Sequence, residues 1–468
     1  MNNNKNQSGF YLLSDNTDAF TARFALASSA EKTLDIQYYI MHNDASGQYL
    51  AYAILSAADR GVRVRILVDD INLSGRDSRL KMLSQHENIE IRIFNPFVNR
   101  DWLRNIELFI NLDRAGRRMH NKVFMSDNSA AIIGGRNIGD EYFDARHSLN
   151  FVDLDLLTVG PIVSEIATSF NDYWKSPWAT PIEELSKTKV VKKQLSHIRS
   201  KLKDKWYRAK NLRYFKSLRQ SDLTEKIINN KISFIWADAK LFYDHPEKLC
   251  QDSLQKTIHF GPRVLPYFEQ AKTELLIASP YFVPGKSGSQ WFRDKKKQGV
   301  QISILTNSLA ATDVIAVHAG YKKYRKQLLD ADISLFELKP TAHPYSIIAK
   351  KLLKASSNAS LHAKYMVVDQ RYVFVGSANL DPRSGNLNTE IGIMVDSKEL
   401  AQQAAKLFNR TTSAENSYRI ILSETDKKIN WLTREDNKEI CYSQEPEAGF
   451  IKKLGVFILS LLPIESLL

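Results

Sequence analysis

The 468-residue sequence predicts an α/β fold built twice, each half a mixed, largely parallel sheet flanked by helices, with one site shared between the halves. Two observations carry this. The first is a stretch that recurs. His120-Asn-Lys122 leads to Asp127 and, after six further residues, to Gly134-Gly135-Arg136-Asn137. His362-Ala-Lys364, Asp369 and Gly376-Ser377-Ala378-Asn379 repeat it at the same spacing, 242 positions later. The second is a repeated plan. Leu275 to Tyr281 corresponds to Leu34 to Tyr39, Gly299 to Leu305 corresponds to Gly61 to Leu67, and Ile333 to Pro340 corresponds to Ile89 to Pro96, with offsets clustered between 238 and 244.

Taken in order, the periodicities predict a helix over Ala19 to Ala30, a strand over Thr33 to Tyr39, a helix from Gly47 to Arg60 ended by Gly61, and a strand over Val62 to Val68. A helix over Arg79 to Gln85 and the strand Ile89 to Phe94, stopped by Pro96, continue the βαβ rhythm. Residues 97 to 118, with Trp102, Phe109 and several Arg, break it and read as a long loop leading into His120. A strand follows each H-x-K, then Ala130 to Ile133, a helix opening at Asn137, a strand over Asp153 to Val159 and a helix from Val163 to Trp174. The domain reading is 1–179 and 236–409 for the duplicated halves, 180–235 for a basic connector of unassigned fold, and 410–468 for an appendix with an apolar tail.

At 43% hydrophobic and 25% charged, the composition is that of a globular protein and excludes disordered and fibrous classes. Two cysteines, Cys250 and Cys441, are too few for a disulfide framework or a zinc site and fit a reducing compartment. The polar amino terminus lacks a secretory signal, and no run approaches the roughly 20 apolar residues of a membrane span. Most of the net charge of +13 lies between Lys187 and Gln220, where thirteen Lys or Arg face one acid, a net of +12. That run reads either as a solvated helix face or, with Trp206, Tyr207, Tyr214 and Phe215 interleaved, as a surface for anionic lipid phosphates; nucleic acid would also satisfy the charge. The tail from Phe450 reads as a helix on the core or as an interfacial anchor.

Two imidazoles and two ammonium groups brought to one point suit a phosphodiester, whose non-bridging oxygens need preorganised cations and donors. Lys122 and Lys364 fit that role, with Asn137 and Asn379 as amide donors. The doubled H-x-K, Asp and Gly-[Ser/Gly]-x-Asn pattern resembles the signature of the phospholipase D superfamily, so each half is expected to be a phospholipase D-like domain. Asn379-Leu-Asp-Pro-Arg-Ser-Gly-Asn-Leu-Asn-Thr-Glu390 resembles the bacterial cardiolipin synthase branch. Leu34 to Ile40, Ile304 to Ala310, Val317 to Tyr321 and the tail Leu461 to Leu468 look most like its C-type members.

This resemblance implies a covalent phosphohistidine, with His120 attacking phosphorus and His362 acting as general acid and base. It also supplies an acid downstream of each motif to hold an imidazole's far nitrogen: Glu390, 28 residues after His362, and Asp153, 33 after His120, with Asp155 on the same strand face. Asp127 and Asp369, at an odd offset from their lysines, read as structural. Tyr39 and Tyr281 are candidates for substrate lining or core, and His318 for pocket lining. Arg136 is a candidate for a second phosphate or a neighbouring acid, and Arg383 for Asp381 or lipid. Gly135 stands where the second copy has Ser377, so one hydroxyl is missing on that side. No metal or cofactor is expected. The implied activity is transfer of a phosphatidyl group to phosphatidylglycerol, giving cardiolipin, with phosphatidylethanolamine as a donor the resemblance admits. Hydrolysis by the same residues is the alternative, and a nuclease the remote one. The expected partners are phospholipids and an anionic membrane surface, not nucleic acid, with the protein peripheral on the cytoplasmic face of a bacterial inner membrane.

Overall fold

The computed structural model describes residues 6–100, 107, 112–146, 148–185, 192–209, 213–250, 259–344, 358–435, 438–462 and 465. In the first half, Thr33–Tyr38 pairs in parallel with Arg63–Asp69, which pairs in parallel with Ile89–Phe94. The helix Ala45–Asp59 makes the first crossover and buries Leu50, Ala53, Ile54 and Ala57, the i, i+3, i+4, i+7 stripe that a core-facing helix needs. Gly61, at φ +94°, then reverses the chain in a conformation only glycine adopts cheaply.

The motif strand Val123–Ser126 runs antiparallel to Thr33–Tyr38 and, through a tight turn, to Ala130–Gly134. Asp155–Val159 and Ser8–Leu13 continue the antiparallel part. The parallel share is thus smaller than the βαβ rhythm alone suggests, because the turn at 127–129 is far too short for a parallel crossover. The motif aspartates secure these turns. Asp127 accepts from the amides of Glu31, Lys32 and Thr33, and Asp369 from those of Lys272, Thr273 and Glu274, so each clips its hairpin to the start of the neighbouring strand.

The second half repeats the plan with Glu274–Ala278, Gln301–Asn307 and Ser334–Leu338 parallel, and Tyr365–Val368, Tyr372–Gly376 and Ile391–Asp396 antiparallel. One long strand, Ile235–Tyr243, pairs with Ile391–Asp396 along most of its length and with Ser8 to Phe10 at its start, which joins the two sheets edge to edge. A single core cluster accordingly runs through both halves, from Val123, Met125 and Ile133 to Tyr365, Val375 and Ile393.

One expectation changes, and two segments left open are filled in. No helix opens at Asn137: Ile138 donates to Ile40 and accepts from His42, so its backbone is held in an extended bridge, and only a turn at Asp140–Tyr142 follows. The connector is helical, Lys192–Ala209, Arg213–Arg219 and Asp222–Ile228, and of its aromatics Trp206, Tyr214 and Phe215 face inward while Tyr207 is exposed. Trp206 stacks on Phe24 at 4.6 Å and Phe215 meets Tyr49 edge-on, while Lys201, Lys203 and Lys205 remain exposed. The appendix adds Ser417–Leu422, Ile429–Glu435 and Lys438–Tyr442 to the second sheet, then the helix Phe450–Ser460, whose Val456 is buried against Leu309 and Ala319. Trp102 and Phe109 lie outside the described residues.

Candidate active site

Two strand registers deliver the site. Leu149–Val152 and Asn358–Leu361 run parallel with Val152 opposite Leu361, so the next residue of each, Asp153 and His362, arrive side by side. Met119 bridges Thr389 in the same sense, and the next residues are His120 and Glu390. Nδ1 of His362 lies 2.6 Å from Oδ2 of Asp153, and Nδ1 of His120 lies 2.9 Å from Oε2 of Glu390. Each acid thus follows one motif in the chain and holds the histidine of the other.

All six charged or titratable groups are buried. Burial, partly offset by Glu390 and reinforced by Lys122, pulls His120 down to about 4; burial and Lys364, against Asp153, pull His362 down to about 3. Burial alone would raise Asp153, but His362 and Lys364 outweigh it and hold the carboxyl at about 2. Glu390 is likewise lowered, His120 and Lys122 overcoming its burial. In the neutral form that burial favours, each imidazole points its Nδ1–H at a carboxylate, and neither Nε2 has a hydrogen-bond partner among the described residues. Burial brings Lys364 down to about 8 and Lys122 well below its ordinary value. Lys122 Nζ lies 2.5 Å from the carbonyl oxygen of His120, and Lys364 bonds that of His362.

Residues 24–174 and 264–412 match the family described as "Cardiolipin synthase, PLD-like domain". The chain is 39% identical to cardiolipin synthase C of Escherichia coli (strain K12) over 463 residues, 99% of this chain and 96% of that protein. The chain belongs to this family. An uncharacterized protein of Helicobacter pylori (strain ATCC 700392 / 26695) is 34% identical over 96% of this chain and 88% of its own. In fold the chain is similar to a crystal structure of phosphatidylserine synthase from Haemophilus influenzae Rd KW20, with a TM-score of 0.63 at 15% identity, covering 100% of this chain and 98% of that one.

The two phospholipase D-like repeats are not equal around the site. Ser377 donates to Glu390, as does Ser384 at 2.7 Å, so that carboxylate is fixed by hydroxyls as well as by His120. At Gly135 a Cβ would stand 2.2 Å from Oδ1 of Asp153. The first-half acid is one methylene shorter than Glu390, and its carboxylate occupies the space that a side chain at 135 would need.

The ring of Tyr39 meets His120 edge-on at 5.0 Å and lies 5.5 Å from the Lys122 ammonium. Its counterpart does not do the same: Tyr281 donates to Asp313, while Tyr142 and Phe151 pack against His362 at 5.2 and 5.0 Å. Tyr142 and Phe151 carried no motif, and their role follows only from the pairing of 149–152 with 358–361. Asn137 accepts from the amide of Ile40 and donates to Tyr142, so at least one of its donors serves the scaffold. Oδ1 of Asn379 is buried with no partner among the described residues, an open polar group at the site.

Arg136 is not a phosphate ligand. It is fully buried and spends its donors on the carbonyls of Leu13, Ser14 and Asp153 and on the side chains of Asn16 and Asp155. His318 does not line the pocket either: it is buried beside Arg325, at 3.0 Å, and Glu445, at 3.4 Å. Arg383 donates to the carbonyl of Gly116, while Asp381 caps the helix Pro382–Asn386. Among the described residues no group of three or more His, Cys, Asp or Glu is placed to hold a metal ion.

Proposed function

We propose that the chain is a phosphatidyltransferase that makes cardiolipin from phosphatidylglycerol and a second phospholipid, phosphatidylethanolamine being one donor, through a phosphohistidine. The observation that carries this is the exchanged pairing: two imidazoles, each with Nδ1 held by a buried carboxylate and Nε2 without a hydrogen-bond partner among the described residues, beside the two buried lysines. Nε2 of one imidazole attacks the donor phosphorus, and the bond to the leaving alcohol's oxygen breaks as that oxygen takes a proton from the other imidazole. The anionic substrate itself supports the required imidazolium, since a phosphodiester beside a buried histidine favours its protonated form. In the second half-reaction the now neutral imidazole removes the proton from the primary hydroxyl of phosphatidylglycerol, whose oxygen displaces the phosphohistidine nitrogen. Attack by His120 is assigned from superfamily members in which the amino-terminal histidine attacks. Lys122, Lys364 and the amide of Asn379 meet the charge on the non-bridging oxygens.

The protein works at the surface of the bilayer that holds its substrates, on the cytoplasmic face of a bacterial inner membrane. Two features support attachment. The helix Phe450–Ser460 leaves Phe450, Ile451, Phe457 and Ile458 exposed, and Lys201, Lys203, Lys205 and Lys216 of the connector face solvent. Lys452 ties the helix down through the carbonyls of Leu309, Ala310 and Thr312. Among the described residues no helix is long and apolar enough to cross a membrane. Incubation with phosphatidylglycerol vesicles followed by mass analysis of the lipids tests the reading: cardiolipin in excess water supports it, and phosphatidic acid as the sole product overturns it.

A further inference from the structure

A carboxylate that the mechanism does not use stands at the edge of the His362 half of the site. Asp313 is exposed, and its position is set from two sides. On one side Asn307, the last residue of the strand Gln301–Asn307, grips both backbone groups of Leu361, donating to its carbonyl at 2.9 Å and accepting from its amide at 2.7 Å. The residue after Leu361 is His362. From Asn307 the chain closes a tight turn, in which the amides of Ala311 and Thr312 donate to the carbonyl of Ser308, and reaches Asp313. On the other side the Tyr281 hydroxyl donates to Oδ2 of Asp313 at 2.8 Å. Phe282 bridges Leu380 in parallel, which sets Tyr281 beside Asn379 of the second motif. The electrostatics agree with this placement. Burial lowers Lys364 and raises the phenols of Tyr142 and Tyr281, and the Asp313 carboxylate acts on all three; Tyr142 is the ring that packs on His362.

The fold does not use this charge up. Thr312, not Asp313, accepts from the amide of Val314 at the start of the helix Ile315–Leu329. Lys452 spends its donors on the carbonyls of Leu309, Ala310 and Thr312, and Lys364 bonds the carbonyl of His362, so both lysines act on Asp313 only at longer range. Among the described residues Asp313 forms no ion pair, and Tyr281 is its one hydrogen-bond partner, on Oδ2. A carboxylate left open beside a phosphate site opposes the substrate's charge, unless the substrate carries a cation next to its phosphate.

Resting on the transfer reading above, we infer that Asp313, oriented by Tyr281, binds the primary ammonium of a zwitterionic donor headgroup and so selects phosphatidylethanolamine as the donor. The order of charges fits: the lysines meet the phosphate, and the carboxylate meets the ammonium two carbons beyond the leaving oxygen. The direction fits as well. In an in-line displacement with His120 attacking, the leaving alcohol departs toward His362, and Asp313 stands on that side. A primary ammonium, unlike a trimethylated one, donates a charge-assisted hydrogen bond to Oδ1, and the neighbouring phenol rings of Tyr142 and Tyr281 are surfaces that favour a cation.

The test uses the full chain with vesicles of phosphatidylglycerol, phosphatidylethanolamine and phosphatidylcholine, the diacylglycerol part of one of the last two carrying an isotopic label. Mass analysis reads how much label enters cardiolipin. Wild-type protein takes more label from phosphatidylethanolamine than from phosphatidylcholine. Asp313→Asn lowers the share from phosphatidylethanolamine roughly tenfold, the worth of one hydrogen bond to a charged group, and raises the half-saturating fraction of that lipid. Asp313→Glu recovers part of the share, Tyr281→Phe shows a smaller fall, and the loss is smaller for cardiolipin made from phosphatidylglycerol alone, whose headgroup has no ammonium. Thermal melting checks that the fold is kept, as the exposure of Asp313 leads one to expect. Wild-type protein that makes cardiolipin with equal label from the two lipids overturns the ammonium subsite alone, as does an Asp313→Asn loss that is equal with phosphatidylglycerol as the sole lipid. Release of phosphatidic acid only overturns transfer; the label in that acid then decides the subsite, which stands if phosphatidylethanolamine is cleaved ahead of phosphatidylcholine and Asp313→Asn removes the preference, and falls otherwise.

Discussion

Exchange of acids between the halves predicts opposite consequences for Asp153→Asn and Glu390→Gln. Asp153 takes the amide of Leu154 on one oxygen and faces His362 with the other. In the isosteric asparagine the oxygen stays with Leu154 and the NH₂ turns to His362, which moves the ring proton to Nε2 and removes the lone pair there. At 2.6 Å and an effective dielectric of about 20, the carboxylate is worth about 6 kcal/mol to an imidazolium. Loss of the correct tautomer costs roughly 10⁴-fold in a comparable triad, or about 5 kcal/mol, so the two measures agree. The assay is a burst experiment with a short-chain phosphatidyl ester of nitrophenol, a leaving group that departs without a proton. With His120 as nucleophile, Asp153→Asn keeps the burst of nitrophenolate and loses turnover, because only the second half-reaction needs His362 as base. Glu390→Gln loses the burst itself. The reverse pattern refutes this combination of exchanged acids with attack by His120, and mapping the phosphorylated histidine then says which half of it failed.

Three further outcomes follow from the same geometry. Burial lowers both lysines, Lys364 to about 8 and Lys122 well below its ordinary value, and each loses its ammonium charge as pH rises, so kcat/KM falls on the alkaline side no later than about pH 8; a pH profile flat to pH 10 contradicts this. The bound phosphodiester raises that value, and the limb in kcat lies further to the alkaline side. Activity persists in excess chelator, since cationic stabilisation is assigned to the two lysines; loss restored by a divalent ion overturns the assignment. Phe457→Glu/Ile458→Glu removes about 3 kcal/mol of apolar transfer free energy at the interface, and vesicle flotation should show binding roughly a hundredfold weaker, with the fold kept because both side chains are exposed.

What the sequence made legible was local. His120 and Lys122 are two positions apart on extended chain, so their spacing survives folding unchanged, and the matching second copy exposes the duplication. The partners of Arg136 come from residues 13–16 and 153–155, and those of His318 from Arg325 and Glu445. No short-range pattern encodes such pairs, so a charged residue at an unusual motif position was open to a ligand reading until its acid was seen. The connector is different. Leu195, Ile198, Leu202, Trp206 and Ala209 recur at three and four residues and pack on the first core. That stripe was present in the sequence under the conspicuous lysines, which occupy the opposite, solvated face.

The same registers explain why neither half is a working unit. Val152 next to Leu361 brings Asp153 to His362, and Met119 next to Thr389 brings Glu390 to His120, so the two contacts are related as under a twofold axis. In an isologous pair of identical subunits, residue i of one meets j of the other and the reverse, and a histidine reaching its partner's acid is that arrangement. Joining the halves in one chain keeps the exchange but frees each side to diverge. Here the divergence is visible as Glu390 braced by Ser377 and Ser384, against Asp153 pressed on Gly135 without a hydroxyl. The carboxylate beside His120 is the more heavily hydrogen-bonded, and the one beside His362 relies on Leu154 and its short contact with the ring. Such inequality suits a reaction in which one imidazole must stay oriented through two displacements while the other changes its protonation state twice in each cycle.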